Sequence, residues 1–303
     1  MTQTPPAHAG RHAARNTERH AVRYTDAQLQ SLMEALYQRY SYDFRDYALP
    51  SQRRRLNHAL ERFQCDSLDA LQQAVLDDAV AFGQLLQILT VPVTQMFRDP
   101  GFFLALRQQI VPVLKTYPSP RIWVAGCCTG EEALSLAIVL HEEGVLERSL
   151  IYATDINPQA LEKAATGVYS ILRMQQAGSD YLAAGGTGRL EDYYTVEHAT
   201  VRFDARLLEQ INYADHSLAT DSVFAETQLV CCRNVLIYFN KTLQDRALGL
   251  FHESLCHRGF LGLGSREVPH FSSVADDFEA LPETKKLYRK RARKYASGVR
   301  HDT

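Results

Sequence analysis

The feature that most constrains the fold of this chain is an apolar segment followed by a turn and a helical pattern, which occurs twice in close succession. Residues 122–125 are apolar, end at a glycine and precede a pattern that predicts a helix near 131–143. Residues 150–153 are also apolar and lead to Asp155, after which an asparagine–proline pair marks the start of the next helix. Strand, turn and helix in repetition are typical of a parallel sheet covered by helices.

The parallel sheet is expected to resume near the end of the chain. Residues 228–232 have the apolar character of a buried strand. A helix is expected over about 241–257, closed by Gly259, and an apolar strand follows at 260–263. The predicted fold class is therefore α/β.

Residues from about 170 to 215 differ from both halves of the sheet. They contain a glycine cluster at 185–188 and then short stretches of alternating polarity at 193–196, 200–203 and 211–213. Such stretches are typical of short antiparallel strands. We therefore expect a small antiparallel insertion in the parallel sheet.

The segment before the sheet has helical periodicity. A capping-box pattern at Thr25 and Gln28 predicts the start of the first of several helices within residues 25–90. A further helix is expected to begin after Asp99, which would act as its cap, with Pro100 in the first turn.

Composition excludes several classes of protein. A chain of 303 residues with 46% hydrophobic residues can bury a large core, whereas residues 1–24 and 293–303 are expected to be tails. The 33 Lys and Arg against 35 Asp and Glu leave a net charge of −2, which indicates no nucleic-acid partner. No apolar run is long enough to span a membrane, so we expect a cytoplasmic protein without membrane insertion.

The cysteines do not have the spacing of a metal site or of a disulfide framework. The chain has six cysteines, and four of them form adjacent pairs, at 127–128 and at 231–232. Zinc motifs use two intervening residues, and disulfide frameworks belong to small secreted chains. We expect reduced thiols and no metal.

The turn after the first strand indicates which kind of cofactor fits. Two glycines, Gly126 and Gly130, are separated by three residues and followed by Glu131 and Glu132. These acids would repel the pyrophosphate of a dinucleotide, whereas cationic S-adenosylmethionine tolerates them. Asp155, at the end of the next strand, has the position from which a carboxylate accepts hydrogen bonds from ribose hydroxyls.

Four ordered motifs, at residues 89–99, 126–132, 153–156 and 232–239, give the chain a family resemblance. In these segments it resembles the CheR-type chemotaxis-receptor glutamate methyltransferases, and the resemblance extends over about residues 25–292. It implies a Rossmann-like S-adenosylmethionine-dependent methyltransferase sheet with a small antiparallel β-subdomain insertion and an N-terminal all-helical domain. The implied bounds are 25–90 for the helical domain and 91–292 for the methyltransferase domain.

The resemblance also implies an activity and a set of site residues. The activity is transfer of the methyl group of S-adenosylmethionine to receptor glutamates, which leaves S-adenosylhomocysteine. The implied catalytic residues are Arg98, Arg233 and Tyr238. The implied cofactor-binding residues are Thr94, Arg98, Gly126, Glu131, Glu132, Asp155, His216, Ser217, Leu218, Arg233 and Asn234.

Three positions depart from the commoner family pattern. Pro92 stands where many members have Asn, Ser217 where Asn usually lies near the adenine, and Gln228 where Asp is frequent. None of the three removes a reacting group.

The partner implied by the resemblance is the acidic cytoplasmic helical bundle of a methyl-accepting chemoreceptor. Arg53, Arg54 and Arg55 form a basic run on a predicted helix, which would dock beside the substrate helix. We expect the protein to act as a monomer. On composition alone, such a run is most often a solvated helix face or a weak nucleic-acid patch.

Two other functions remain compatible with the residues. One is a catalytically weak or silent regulatory module that binds S-adenosylmethionine as a signal. The other is a methyltransferase for a nucleic acid or a small molecule, although no base-flipping motif accompanies the basic runs. Taken singly, Arg98 is also consistent with pairing to Asp99, Tyr238 with a core aromatic and Asp155 with a helix cap.

Overall fold

The computed structural model describes residues 24–90, 94–284 and 286–292. The expected tails at 1–23 and 293–303 and the departure at Pro92 lie outside these residues. Tyr24, assigned above to the first tail, is buried, and its hydroxyl donates a hydrogen bond to the Arg53 carbonyl (3.1 Å), so that assignment was wrong for this residue. The described residues divide into two compact units.

The first unit is helical. It contains α1 (Asp26–Tyr40), α3 (Leu68–Asp77) and most of α2 (Leu49–Phe63) and α4 (Ala79–Thr90). α1 begins at the predicted capping box, in which the side chains of Thr25 and Gln28 each accept the backbone N–H of the other residue. Tyr40, at the end of α1, stacks on Phe82 (3.9 Å between ring centroids) and donates its hydroxyl to the Val75 carbonyl (2.7 Å).

The second unit contains the sheets. Its strands are β1 (Arg121–Ala125), β2 (Leu150–Asp155), β3 (Val168–Ser170), β4 (Tyr194–Glu197), β5 (Thr200–Phe203), β6 (Ile211–Asp215), β7 (Thr227–Cys232), β8 (Leu255–Leu263), β9 (Phe278–Ala280) and β10 (Leu287–Lys290). Its helices are α5 (Pro100–Ala105), which continues through a π-helical turn (Leu106–Ile110) into α6 (Val111–Leu114), α7 (Glu131–Glu142), α8 (Pro158–Ala165), α9 (Ala177–Ala183), α10 (Ala205–Leu208) and α11 (Lys241–Ser254).

The main sheet has seven strands in the order β6-β2-β1-β7-β8-β10-β9. The pairs from β6 to β8 are parallel, and β10 and β9 add antiparallel strands at one side. β1 lies between β2 and β7, so the chain winds outwards in both directions from this strand. In sheets of this kind, ligands bind at the carboxyl ends of the strands where the winding direction changes.

Helices cover both faces of the main sheet, as the apolar strands predicted. Ile122 and Val124 of β1 belong to one buried cluster with residues of α7, whereas Trp123 belongs to a second cluster with residues of α11. Cys231 and Cys232 divide in the same way between the two clusters. Burial on both faces explains why these strands are continuously apolar rather than alternating.

The antiparallel insertion is present, as predicted, but it is smaller. β3, β5 and β4 form a separate antiparallel sheet of three strands. The assignment of residues 211–213 to this insertion was wrong, because β6 pairs in parallel with β2 at the edge of the main sheet. β6 has exposed positions on one side, since it is an edge strand, and this gave its sequence the alternation of an antiparallel strand.

Two predicted helix ends also differ from the structure. α11 ends at Ser254, and Gly259 lies within β8 instead of closing the helix. A Cβ atom at Gly259 would lie 3.1 Å from the Cys256 carbonyl oxygen, so close backbone packing explains this glycine. Asp99 occupies the N-cap position of α5, with Pro100 in the first turn as predicted, but its φ is 57° and its side chain makes no capping bond.

Among the residues that the structure describes, no helix is both long and apolar enough to cross a bilayer. The six cysteines are free, and four of them are buried, as expected for small apolar side chains in strands and turns. Gln228, one of the departures, is a strand residue whose side-chain oxygen accepts the Arg121 N–H (2.7 Å) and links β7 to the start of β1.

Candidate functional site

A cleft opens in the second unit at the carboxyl ends of β1, β2 and β7. Ten residues expected from the sequence line it, namely Thr94, Arg98, Gly126, Glu132, Asp155, His216, Leu218, Arg233, Asn234 and Tyr238. The structure thus brings together side chains that the sequence places far apart. Glu131 and Ser217, which were also expected, do not line the cleft.

The turn after β1 lines the cleft and is tightly built. The N–H groups of Gly126 and Cys127 both donate to the Thr154 carbonyl (2.8 Å each). Gly126 has φ 72°, and a Cβ atom there would lie 2.5 Å from a methyl group of Val235. Since only glycine fits, the backbone of this turn can approach a ligand closely.

Asp155 ends β2 with its carboxylate held at two points. One oxygen accepts the N–H of Cys128 (2.8 Å) and the other accepts the N–H of Asn157 (2.9 Å). Burial raises the pKa of this carboxyl, whereas these backbone N–H groups oppose the increase. The cap of α8 is Asn157, which accepts from Gln159 and Ala160, so Asp155 is not a helix cap.

An ion-pair cluster centred on the buried Arg233 side chain lies at the cleft. The Arg233 guanidinium contacts a carboxylate oxygen of Glu132 (3.1 Å), a carboxylate oxygen of Asp99 (2.9 Å) and the carbonyl of Arg98 (2.6 Å). It also lies 4.1 Å from the centre of the Phe102 ring. Its side chain is 1% exposed, so Arg233 is fixed by this chain's own groups.

Glu132 keeps one oxygen uncommitted. Its Oε1 is buried and has no hydrogen-bond partner among the described residues, while Oε2 pairs with Arg233. Burial raises the pKa of this carboxyl, and Arg233 offsets part of the increase. A buried oxygen without a partner is costly unless a ligand donates to it. Glu132 therefore suits a cationic or ammonium-bearing group in the cleft.

Glu131, the neighbouring acid, faces away from the cleft. It is fully buried, accepts a hydrogen bond from the Thr129 hydroxyl (2.6 Å) and pairs with Arg173 (2.7 Å), which follows β3. Tyr169 of β3 also donates to the Thr129 carbonyl (2.7 Å). These contacts attach the insertion to the glycine turn, which gives Glu131 a structural explanation.

His216 and Ser217 follow β6 and differ in what they offer. His216 Nε2 lies 3.1 Å from the Ser222 carbonyl oxygen, and Nδ1 is buried without a partner in the described part of the chain. Because a carbonyl can only accept, Nε2 donates, and in the neutral imidazole Nδ1 is then an acceptor. Ser217 instead bonds within its own turn, to Asp221 and Ala219.

Tyr238 lies in a single helical turn (Leu236–Tyr238) beyond β7. Its backbone carbonyl accepts the Ala48 N–H (2.8 Å), and Tyr47 forms a bridge with Phe239. The segment before α2 therefore holds this turn in place at the cleft.

Sequence reasoning missed eight of the lining residues: Tyr47, Leu89, Thr90, Cys127, Cys128, Ile156, Val235 and Phe239. All of them except Tyr47 lie within the four quoted motifs. Tyr47 has no such signal, because its place depends on pairing with a segment far along the chain.

The three arginines expected at a docking surface lie in the first unit and have different environments. Arg53 pairs with Asp26 (2.5 Å), Arg54 is exposed and Arg55 is buried. Arg55 cannot offer its charge to a partner. Only Arg54 has the exposure that an electrostatic docking role requires.

Comparisons with known proteins place this geometry in context. Residues 92–287 match the family model described as "CheR methyltransferase, SAM binding domain", and residues 27–90 match "CheR methyltransferase, all-alpha domain". The first of these descriptions names the cofactor that the sequence analysis predicted.

Relatives cover most of the chain. A Pseudomonas putida protein that carries the name methyltransferase Cher3 is 56% identical over 268 residues, which span 88% of this chain and 98% of that protein. A chemotaxis protein methyltransferase of Salmonella typhimurium is 26% identical over 293 residues, 94% of this chain and 97% of the relative. One from Listeria monocytogenes is 29% identical over 63% of this chain and 70% of its own length.

Proposed function

Because the chain belongs to the CheR methyltransferase family and uses S-adenosylmethionine, we propose that it methylates glutamate side chains of methyl-accepting chemoreceptors. The product would be a glutamate methyl ester, formed on receptor helices in the cytoplasm during adaptation of a chemotaxis-type signal. Relatives named chemotaxis protein methyltransferase support the receptor as substrate.

The observation that carries this proposal is that one cleft holds both charged groups that pair with other side chains of this chain and charged groups that do not. Arg233 forms ion pairs with Glu132 and Asp99. No described side chain forms an ion pair or a hydrogen bond with the Arg98 guanidinium. The charge of Arg98 nevertheless lowers the pKa of Glu132. The cleft thus offers an acidic oxygen to a cation and a guanidinium to an anion. This combination fits a cationic methyl donor beside a carboxylate acceptor.

The cofactor-facing residues would divide the work of binding. Asp155 would accept hydrogen bonds from ribose hydroxyls, and the Glu132 oxygen would accept from the α-ammonium group. His216, with Nδ1 as an acceptor, would face the adenine amine. When bound, S-adenosylmethionine supplies an electrophilic methyl group on a sulfonium.

The acceptor-facing residues have only to position a group that is already reactive. A glutamate side chain with a pKa near 4.3 is ionised at neutral pH, so no general base is needed. Arg98 would hold this carboxylate, and Tyr238 would orient it for in-line approach at about 3–3.5 Å. Partial neutralisation of two opposite charges is favoured in a cleft from which water is excluded.

The test is incubation of the protein with labelled S-adenosylmethionine and the receptors of its own organism. We expect label on receptor glutamates that alkali releases as methanol, because carboxylate esters are base-labile. Binding of the cofactor without any transfer would instead favour a regulatory module. Label on RNA, DNA or small molecules would favour the other alternative and overturn the receptor assignment.

A further inference from the structure

Glu267 is a buried carboxylate that does not line the cleft but contacts the segment that does. It lies just beyond β8 and is 4% exposed. One carboxylate oxygen accepts the N–H groups of Gly264 (2.6 Å) and Asn234 (3.0 Å), and the other accepts the N–H of Ile237 (3.4 Å). All of these donors belong to the backbone.

The segment around Asn234 has the shape of a backbone anion site. Asn234 is left-handed (φ 62°), and Val235 follows with right-handed angles (φ −110°, ψ −50°). Alternation of this kind turns successive N–H groups towards one point and creates a concave site for an anion. Burial raises the pKa of Glu267, while the N–H groups of Gly264, Asn234, Ile237 and Val235 oppose the increase.

A carboxylate at this point stabilises a conformation that is otherwise unfavourable. A residue other than glycine in the left-handed region is strained and persists where its surroundings hold it. Asn234 lines the cleft, and the helical turn that ends at Tyr238 begins two residues later. Removal of the anion would leave the N–H groups of Gly264, Asn234 and Ile237 without this acceptor and release this segment.

Gly264 shows how closely the two segments approach. A Cβ atom at this residue would lie 2.6 Å from the Glu267 carboxylate and 2.7 Å from the Asn234 nitrogen. No side chain can be accommodated there without displacing one of them. Lys286 further fixes the turn, because its ammonium group donates to the Glu267 carbonyl (2.7 Å).

We propose that Glu267 is a positioning residue of the methyl-transfer site, whose carboxylate holds the backbone of residues 234–238 and thereby sets the placement of Asn234 and Tyr238. The catalytic part of this inference rests on the proposed function. Arg233 is held separately, by Glu132 and Asp99, so the cofactor side of the cleft depends less on Glu267.

The first experiment compares Glu267→Gln with Glu142→Gln in the full chain. Glu142 is a matched control, because its side chain is only 9% exposed and it also accepts several hydrogen bonds, from Arg107, Tyr181 and Tyr193, but it does not line the cleft. Hydrogen exchange followed by mass spectrometry reports on residues 233–239 without any need for activity. We expect faster exchange there in Glu267→Gln and parental exchange in Glu142→Gln.

Kinetics add a readout that general destabilisation would not change. Below the melting temperature, we expect kcat for receptor methylation to fall by about tenfold or more in Glu267→Gln, since hydrogen bonds to a charged acceptor are lost. The dissociation constant for S-adenosylhomocysteine should change by less than about threefold, because most cofactor contacts lie elsewhere in the cleft. Glu142→Gln should change neither quantity, although its melting temperature falls.

A second variant reaches the same contact without removing the carboxylate. Gly264→Ala should displace Glu267 or Asn234 and reproduce both the faster exchange and the lower kcat. Gly249→Ala is its control, because nothing lies within 4 Å of a Cβ atom at that helical position. If Glu267→Gln does not fold, Gly264→Ala carries the test.

Failure of the positioning role can be distinguished from failure of the proposed function. Parental exchange at 233–239, or parental kcat, in both Glu267→Gln and Gly264→Ala would overturn the positioning role. A parental protein that binds S-adenosylhomocysteine but does not methylate receptors would overturn the proposed function, and exchange would still report on the backbone contact. Faster exchange with lower kcat and nearly unchanged cofactor affinity would support the inference.

Discussion

At the scale of single residues, the site separates groups that the chain uses for itself from groups that are left for ligands. Arg233, expected to be catalytic, forms ion pairs with Glu132 and Asp99, whereas no described side chain pairs with the Arg98 guanidinium, which we propose holds the acceptor. Glu131 and Glu132 are adjacent in sequence, but one supports the insertion and the other faces the cleft. Neighbouring acids on a helix point in different directions, which motif spacing alone does not resolve.

Asp155 gives the first prediction. Asp155→Ala should weaken binding of S-adenosylhomocysteine by about 1.5–3 kcal/mol, because a charged acceptor of ribose hydroxyls is lost. Isothermal titration calorimetry measures this change. Asp215→Ala is the matched control, since Asp215 is the register partner of Asp155 on β6 but does not line the cleft. Equal affinities of Asp155→Ala and the parent would remove Asp155 from the site.

Arg98 and Tyr238 give the second prediction. Arg98→Ala and Tyr238→Phe should each lower kcat for methyl transfer by roughly tenfold or more, because the acceptor carboxylate is no longer held or oriented. Circular dichroism should show a parental fold. Tyr152→Phe, a half-buried tyrosine outside the cleft, is the control and should keep parental kcat. Parental turnover in both cleft variants would show that their assigned roles are wrong.

The raised pKa of Glu132 gives the third prediction. Burial raises the pKa of this carboxyl above the ordinary value of 4.5, and only its ionised form attracts a cation. Affinity for S-adenosylmethionine should therefore fall as the pH decreases through the raised pKa, and binding near that pH should release protons. Calorimetry in two buffers with different ionisation enthalpies measures the release.

In the protein without cofactor, ionisation of the same carboxyl is unfavourable, because it lowers the free energy of unfolding. Its contribution to the free energy of unfolding is fully present below pH 4.5 and is lost as the pH rises through the folded-state pKa. Glu132→Gln should remove both effects. Proton release that persists in Glu132→Gln would assign it to another carboxyl, with Asp155 as the next candidate because burial raises its pKa as well.

At the scale of elements, the structure changes the interpretation of the basic run on α2. Arg53 is paired with Asp26 and Arg55 is buried, so reversing all three charges would disturb the fold as well as any docking. A buried arginine replaced by glutamate leaves an uncompensated charge. The docking hypothesis is therefore best tested at Arg54 alone.

Arg54→Glu gives the fourth prediction. The apparent KM for an acidic receptor helix should rise roughly two- to fivefold at low salt, because attraction becomes repulsion at one exposed position. The effect should largely disappear at 1 M salt, where the Debye length is about 3 Å. Arg121→Glu is the control, because Arg121 is exposed at the amino end of β1, whereas the cleft lies at the carboxyl ends of the strands. This charge reversal should leave KM unchanged. If Arg54→Glu has no effect at low salt, the receptor docks elsewhere.

The elements that could be predicted are those in which burial or helix capping requires a recognisable residue pattern. β1, β2 and β7 have apolar runs because both faces of the sheet are covered, and α1 begins at a capping box. β6 was assigned to the wrong sheet because an edge strand and an antiparallel strand have the same alternation. Gly259 was assigned to a helix end because glycine also serves close packing within a strand.

At the scale of the whole molecule, the fold class was predicted correctly from repeated strand–turn–helix patterns, the cofactor from the glycine turn and its acids, and the family from four short motifs. The contribution of Glu267 could not be predicted, because a single glutamate after a strand forms no recognisable pattern. Its importance depends on a contact with Asn234, which follows a different strand. Tyr47 was missed for the same reason. Contacts between distant segments depend on the completed fold and leave no local trace in the sequence.

The position of β1 between β2 and β7 has a consequence for how the protein is made. β2 follows β1 closely in the chain, but β7, the other neighbour of β1, is synthesised only after the whole insertion. Pairing between segments far apart in sequence is slow and adds to the time a chain spends partly folded. A nascent chain on the ribosome will carry the glycine turn and Asp155 long before the strand that completes their surroundings has emerged, and we expect it to acquire affinity for the cofactor only late in translation.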